Sequence, residues 1–214
     1  MPRVRDPVQH ARRRHEILEA AAVAFRQFGY HGASIEHIAS QLGISKGAIY
    51  YYFDSKEDLL LHVCERAVDL ALQQVCDLSC RSGDASVQLR SLLQGHLQTL
   101  HDHADVWAVF FQEPWARTHP HAQSIRSKQR RFSDEIEKLI AGWQAEGMAC
   151  TIDVALVSLA LLGMCNWAHR WIGSSPYNVE QIADAFFSIV GQGLLTVRSN
   201  NQEASRPGDM ADGP

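Results

Sequence analysis

The chain has 214 residues, of which 46% are hydrophobic and 21% charged, and its formal net charge is −4. That composition can build a real core and excludes a mostly disordered chain, and the length suits one large domain or two small ones. The net charge alone argues against a nucleic-acid partner, yet it conceals a split. Residues 1–53 carry seven Lys/Arg against four Asp/Glu, net +3, and residues 54–214 carry thirteen against twenty, net −7. A basic head on an acidic body points to a polyanion partner for the head alone.

The Arg-rich start, Met1 to Arg14, is not followed directly by an apolar stretch, so no secretory signal is read there. The longest apolar run, Val154 to Ala168, is interrupted by Ser158 and Asn166 and falls short of the about 20 residues that cross a bilayer. A soluble, cytoplasmic protein is expected. Cys64, Cys76, Cys80, Cys150 and Cys165 are odd in number and form no C-x-x-C, which reads as reduced, buried thiols. The pairs His101/His103 and His119/His121 lack the i, i+4 spacing that sets two imidazoles on one helical face, so neither a metal nor a cofactor is expected.

Strand signals are nearly absent, and apolar residues recur every three or four positions, so the chain reads as all-α with about nine helices. Residues 1–11 read as a flexible arm. A first helix is predicted from about Arg12 to Phe28, with the stripe Ile17, Leu18, Ala21, Phe25 and Phe28, ended by Gly29. Short helices follow at 35–42 and 46–53, and these close a first domain over 1–54. A second domain, 55–198, opens with a long helix from Lys56, capped by Ser55 and Asp58 in an S-x-x-D box. Further helices fit 85–100, 104–116 (disturbed by Pro114), 122–146, 152–172 and 178–197. The tail 199–214 has almost nothing to bury and reads as disordered.

Ser34 to Phe53 has the organisation of a helix-turn-helix. Ser34 and Ser45 can cap the two helices, and Gly43 stands where the turn needs a positive φ. Ile38, Ala39, Leu42, Ile44, Ile49 and Phe53 are the positions that pack. What remains outward on the second helix is Lys46, Gly47, Ala48, Tyr50, Tyr51 and Tyr52. Lys46 can donate to guanine O6/N7, while Gly47 and Ala48 let the backbone approach, and Ala48 suits a thymine methyl. The tyrosine hydroxyls, Ser34, Ser45 and Lys56 are natural phosphate donors. Arg12, Arg13 and Arg14 can hold flanking phosphates or enter the minor groove.

The patterns Phe28-Gly-Tyr-x-Gly-x-Ser34, Gly43-Ile-Ser-Lys-Gly-x-Ile-Tyr50 and Tyr52-Phe-x-Ser-Lys-Glu-x-Leu59 closely resemble the N-terminal domain of TetR-type transcriptional regulators. Ser34 stands where Thr is usual and Leu42 where Ala is common; neither disturbs capping or packing. The resemblance covers roughly residues 12–60. It implies a homodimeric repressor on a palindromic operator, with a C-terminal helical domain whose small-molecule effector releases the DNA. It implies no enzyme, in keeping with the lack of a nucleophile elbow, P-loop or Rossmann glycine pattern.

The helix over 154–168 is apolar on all sides, which a chain this small covers with difficulty from within. A dimer face from the last two helices is therefore expected, through Leu156, Leu159, Ala160, Gly163, Ile182, Phe186, Ile189 and Gly193. Two segments stand out as effector-binding. Trp107, Phe110, Phe111 and Trp115 recur on one helical face beside Glu113. Asn166, Trp167, Arg170 and Trp171 enter an otherwise apolar helix, where a buried Arg170 needs an anionic or carbonyl partner, Glu113 or a ligand. Between Glu113 and Asp134 lies the body's single basic run, including Arg117, Arg126, Lys128, Arg130 and Arg131. The stretches Phe-Phe-Gln-Glu and Gly-Met-x-Asn-Trp-x-x-Arg-Trp resemble a TetR subgroup that responds to acyl-CoA thioesters. This implies aromatics around the acyl group and the basic run on CoA phosphates. A free aromatic or cationic drug is the alternative effector, and a scaffold that does not bind DNA the alternative class.

Overall fold

The computed structural model describes residues 7–79 and 83–195. The expected tail, the first six residues of the expected arm and Cys80 lie outside them. The described residues form ten α-helices. The first, α1 (Pro7–Gly32), begins five residues before the predicted start, so residues 7–11 are helical and not a loose arm. Pro7 costs nothing there, since a first-turn N–H has no intrahelical partner. Gly29, at φ 69°, breaks the helix where its sequence position predicts. Ile17, Leu18, Ala21 and Phe25 are buried, but Phe28 is exposed and meets the His37 ring edge-on at 5.0 Å.

Two short helices follow: α2 (Ile35–Gln41) packs on α1, and α3 (Lys46–Tyr50) packs on α2. The next, α4 (Lys56–Ser79), starts at Ser55, whose Oγ accepts from the Asp58 amide at 2.9 Å, while the Asp58 carboxylate accepts from the Asp54 amide at 3.1 Å. It is the spine of the molecule and touches α1, α5 (Ala85–Asp102), α6 (Ala104–Gln112), α7 (Pro114–Thr118) and α8 (Gln123–Ala145). Leu59, Leu60 and Val63 of α4, Leu89, Leu93 and Leu97 of α5, and Ile136 and Ile140 of α8 are fully enclosed between these helices. Each such side chain stabilises the fold by roughly 1.5–3 kcal/mol through burial.

The helix predicted over 104–116 is two helices, because Pro114 cannot donate into a continuous ladder and instead opens α7 at Glu113. That break makes ten α-helices where about nine were expected. The predicted helix 152–172 is α9 (Val154–Trp167) followed by 3-10 turns at Ala168–Arg170 and Ile172–Ser174. The last helix, α10 (Val179–Leu194), has a full capping box between Asn178 and Gln181. Among the described residues no helix is long and apolar enough to cross a membrane. Cys64, Cys76, Cys150 and Cys165 are free thiols, and burial pushes those of Cys64 and Cys165 up to about 12.

Apolar side chains remain exposed on the last two helices, α9 and α10. Leu156, Leu159 and Trp167 of α9 and Ile189 of α10 are between 61% and 70% exposed. Ala160, Gly163 and Gly193 are exposed on the same two helices. Ile182 is not part of this face: it is buried within the protomer, and Phe186 is half-buried.

Candidate nucleic-acid interface and ligand cavity

In the helix-turn-helix the chain closes both caps locally. Ser34 Oγ accepts from the His37 amide and Ser45 Oγ from the Ala48 amide, each at 3.1 Å. Gly43 takes φ +63°, and the Ile44 amide donates to Ala39 O at 3.0 Å, which fixes the turn. Ile38, Ala39, Ile49 and Phe53 are buried beneath, and Leu42 and Ile44 are half-buried. Because each serine oxygen only accepts in its cap, its hydroxyl hydrogen remains available to a phosphate.

The second helix is shorter than 46–53: it ends at Tyr50, and the amides of Tyr52 and Phe53 both return to Ile49 O. Of three consecutive tyrosines, Tyr50 and Tyr51 face outward. Tyr52 does not; it is half-buried, with its ring 4.7 Å from His10 on α1. A Cβ on Gly47 would meet nothing closer than 3.8 Å. The fold itself leaves room for a side chain there.

Every cation of this surface is held by a weak, solvent-exposed contact. Lys46 Nζ bonds Glu36 and sits 5.7 Å from the Tyr50 ring. The hydrogen bond between them lowers the Glu36 carboxyl and raises the Lys46 ammonium from their ordinary values. Arg12 and Arg13 share Glu16 at 3.1 and 2.8 Å. Arg14 covers the Phe53 ring at 4.9 Å. Lys56 lies 4.5 Å over Tyr30 and donates to His31 O at 3.4 Å. Exposed pairs of this kind are worth little in water and yield readily to phosphates. Glu36, the carboxylate facing Lys46, is a residue that sequence reasoning passed over, since nothing local marks a partner ten positions away.

In the body, Phe111, Asn166, Trp167 and Arg170 converge on one cavity of about 670 Å³, together with Ala108, Gln112, Gly163 and His169. Arg26 of α1 lines it too, and donates to Asp105 of α6 at 2.7 Å. Arg170 is exposed, not buried. Its helix ends at Trp167, and the 3-10 turn that follows places the Arg170 guanidinium over the Trp167 ring at 4.8 Å. The His169 ring stacks on Phe111 at 4.2 Å, and its Nδ1 lies 2.6 Å from Asn166 O. Trp171 lines a separate cavity of about 660 Å³ with Tyr177, Ile182 and Phe186.

Trp107 and Phe110 are buried behind the first cavity and line neither. Trp107 neighbours His96, which is also buried, at 5.6 Å between ring centres. The His96 Nε2 lies 2.8 Å from Asn166 Oδ1, and burial, only partly offset by that bond, lowers the imidazole's proton affinity. His96 was not singled out in the sequence; a lone histidine on an apolar stripe carries no local signal.

Glu113 does not bond Arg170 and lines neither of these two cavities. Its Oε1 accepts from the Tyr30 amide at 3.1 Å and its Oε2 from Trp115 Nε1 at 2.7 Å. The Trp115 ring meets Tyr30 edge-on at 5.1 Å. Both residues therefore tie the body to the end of α1. Part of the basic run is likewise spent inside the fold. Arg126 Nη1 donates to Arg117 O and His119 O, at 3.3 and 2.9 Å. Arg117 donates to Phe110 O and covers its ring at 4.8 Å. Lys128 bridges Glu65 and Asp69 of α4 at 2.8 and 2.7 Å, and Arg131 points at Cys76 Sγ, 4.0 Å away. His62, then Lys128 and Ser124, hold the Glu65 carboxyl well below the usual carboxylate range despite burial. Arg130 is exposed on α8, and neither it, Arg126 nor Arg131 lines either of the two cavities described above. Among the described residues no cluster of three His, Cys, Asp or Glu side chains is placed to hold a metal.

A family model described as bacterial regulatory proteins of the tetR family matches residues 17–63, and one described as a tetracyclin repressor-like C-terminal domain matches residues 82–194. The regulator RutR of Escherichia coli strain K12 is 31% identical over 138 residues, which span 64% of this chain and 64% of RutR. The transcriptional repressor KstR2 of Mycobacterium tuberculosis strain H37Rv is 26% identical over 188 residues, 85% of this chain and 92% of KstR2. The crystal structure of AibR in complex with isovaleryl coenzyme A and operator DNA superposes with a TM-score of 0.73 at 23% identity, covering 83% of this chain and 97% of that one.

Proposed function

Because the chain belongs to the tetR family of bacterial regulatory proteins, we propose that it is a DNA-binding repressor which leaves a palindromic operator when an anionic effector with an apolar or aromatic body enters the 670 Å³ cavity. A CoA thioester is the first candidate. One observation carries this reading: the cavity is lined both by Arg26, on the helix that bears the DNA-reading head, and by Trp167 and Arg170 of the body. An anion there competes with Asp105 for Arg26 and draws on Arg170, so binding and the position of α1 are energetically linked. A cationic drug fits poorly, since no carboxylate lines the cavity. The CoA ligand of the AibR complex, on the same fold, supports the choice of thioester.

In this reading Lys46 leaves Glu36 to meet a base edge, while Tyr50, Tyr51, Ser34, Ser45 and Lys56 bond phosphates and Arg12, Arg13 and Arg14 hold the flanks. Tyr52 serves as packing behind them. The exposed face of Leu156, Leu159, Ala160, Gly163, Ile189 and Gly193 is covered by a second copy, and two heads then reach half-sites about 34 Å apart. Loss of the operator shift on adding acyl-CoAs, with free acids and free CoA as controls, tests the effector; indifference to every thioester overturns it. Arg170→Ala is expected to weaken the effector response about tenfold, as loss of one charge-assisted bond does, with unchanged operator affinity in its absence.

A further inference from the structure

Among the buried polar atoms of the body that have no partner, which include Arg66 Nε and Gln74 Oε1, two belong to neighbouring rings: Nδ1 of His96 and Nε1 of Trp107. Their residues are only 2% and 3% exposed. Buried polar groups are ordinarily paired, so two neighbouring orphans mark a place built for something else. We propose that His96 and Trp107 are the recognition point for a hydroxyl group on the effector, one layer behind the cavity wall. The inference rests on the reading that this body binds an effector.

The chemistry follows from the donor and acceptor roles. His96 faces the Asn166 carbonyl oxygen through Nε2 at 2.8 Å, so Nε2 carries the hydrogen and Nδ1 presents a lone pair. Burial keeps the ring neutral. The Trp107 indole can only donate. A group that satisfies both must donate to one and accept from the other. A hydroxyl does this; a thioester carbonyl or a carboxylate cannot donate, and an ammonium cannot accept. The walls suit hydrocarbon: Phe132 stacks on His96 at 5.8 Å and Phe111 on Trp107 at 5.7 Å.

Two residues of the cavity wall touch the rings that carry the orphan atoms. Asn166 lines the cavity and bonds His96, and Phe111 lines the cavity and covers Trp107. Phe111 is only partly buried and stands between the cavity and Trp107, and the proposal requires its ring to turn aside to admit the effector. The carbon skeleton then lies along the phenyl rings, with its anionic end toward Arg26 and Arg170.

The test compares matched ligands that differ in one hydroxyl: decanoyl- with 3-hydroxydecanoyl- and 10-hydroxydecanoyl-CoA, and benzoyl- with 4-hydroxybenzoyl-CoA, by calorimetry on the full chain. The same pairs are run as free acids. In at least one pair the hydroxylated ligand is expected to bind tighter by about tenfold or more, because a site built to bond a hydroxyl rejects the analogue without it. Trp107→Phe and His96→Leu are each expected to abolish that preference and to leave the deoxy ligand's affinity nearly unchanged. A preference seen only among the free acids retains the hydroxyl site and retires the CoA reading. Equal affinities in every pair, or a preference that survives in both variants, overturns the proposal and leaves a structural water as the partner. Should His96→Leu fail to fold, Trp107→Phe decides alone. In the wild type the Trp107 indole N–H resonance is expected to move downfield with the hydroxylated ligand only.

Discussion

In the head, Ser34 and Ser45 close their caps on amides three residues away; in the body, Asn166 finds His96 seventy residues back along the chain. The contrast separates two ways of holding a functional surface. The head presents its cations from two short helices whose geometry is set by neighbours in sequence, and each helix would be marginal alone. The body assembles its cavity from α1, α6 and α9, so each lining residue is placed by packing across the whole molecule. A surface of the first kind suits a fixed target. One of the second kind can shift when a ligand changes the packing.

Substitutions can break or sharpen that contrast. The largest effect is expected from Lys46→Ala, which should cost operator affinity by about tenfold to a hundredfold, through a lost base contact, with no change in melting temperature. Gel shift and thermal denaturation on one preparation check both halves. Asn166→Ala leaves both ring nitrogens of His96 unpaired and is expected to cost about 1–3 kcal/mol of stability, together with a weaker effector response. If urea denaturation shows no loss, the distant bond is dispensable and the contrast fails. Ser45→Ala removes one local cap, for about 1 kcal/mol, and its effect on the effector response should be nil.

The smallest effect concerns pH. The folded protein holds His96 below its ordinary value of 6.5, chiefly by burial, so on acidification the unfolded chain takes up the proton first. The stability tied to His96 is complete above pH 6.5 and is lost as pH falls below it toward the lowered folded value. Melting temperatures between pH 7.5 and 5.5 should therefore decline in the wild type by more than in His96→Leu. An equal decline would mean that other groups carry the acid sensitivity.

The same contrast explains what could be read from the sequence. Caps and the positive φ of Gly43 are local, and Ser34, Gly43 and Ser45 announce them by residue type. The apolar period located α4, α5, α8 and α10 to within a few residues, because burial enforces it. Partnerships across the fold left no such trace. Arg126 and Lys128 look free in the sequence because the backbone carbonyls and the Glu65 and Asp69 carboxylates that hold them come together only on folding. Arg170 shares the cavity with Asn166 and Trp167 as their spacing predicts, but it is exposed and not buried: the predicted helix 152–172 runs five residues past the observed end at Trp167, and the 3-10 turn lays Arg170 over the Trp167 ring. Phe111, Asn166 and Trp167, which line the cavity, stand out in the sequence through helical spacing in the first case and as polar and aromatic interruptions of an apolar helix in the other two.

Glu113 bears on how freely such heads and bodies can be exchanged. Its carboxylate, at the break before Pro114, accepts both from the backbone of Tyr30 and from the Trp115 indole. Joining this head to another regulator's body would carry over its caps and its turn intact. The graft would still strand the Tyr30 amide unless the new body offered a carboxylate at the equivalent helix break. A designer of hybrid sensors should therefore treat the fragment from Glu113 to Trp115 as belonging to the head, although the chain places it some sixty residues beyond the end of that domain.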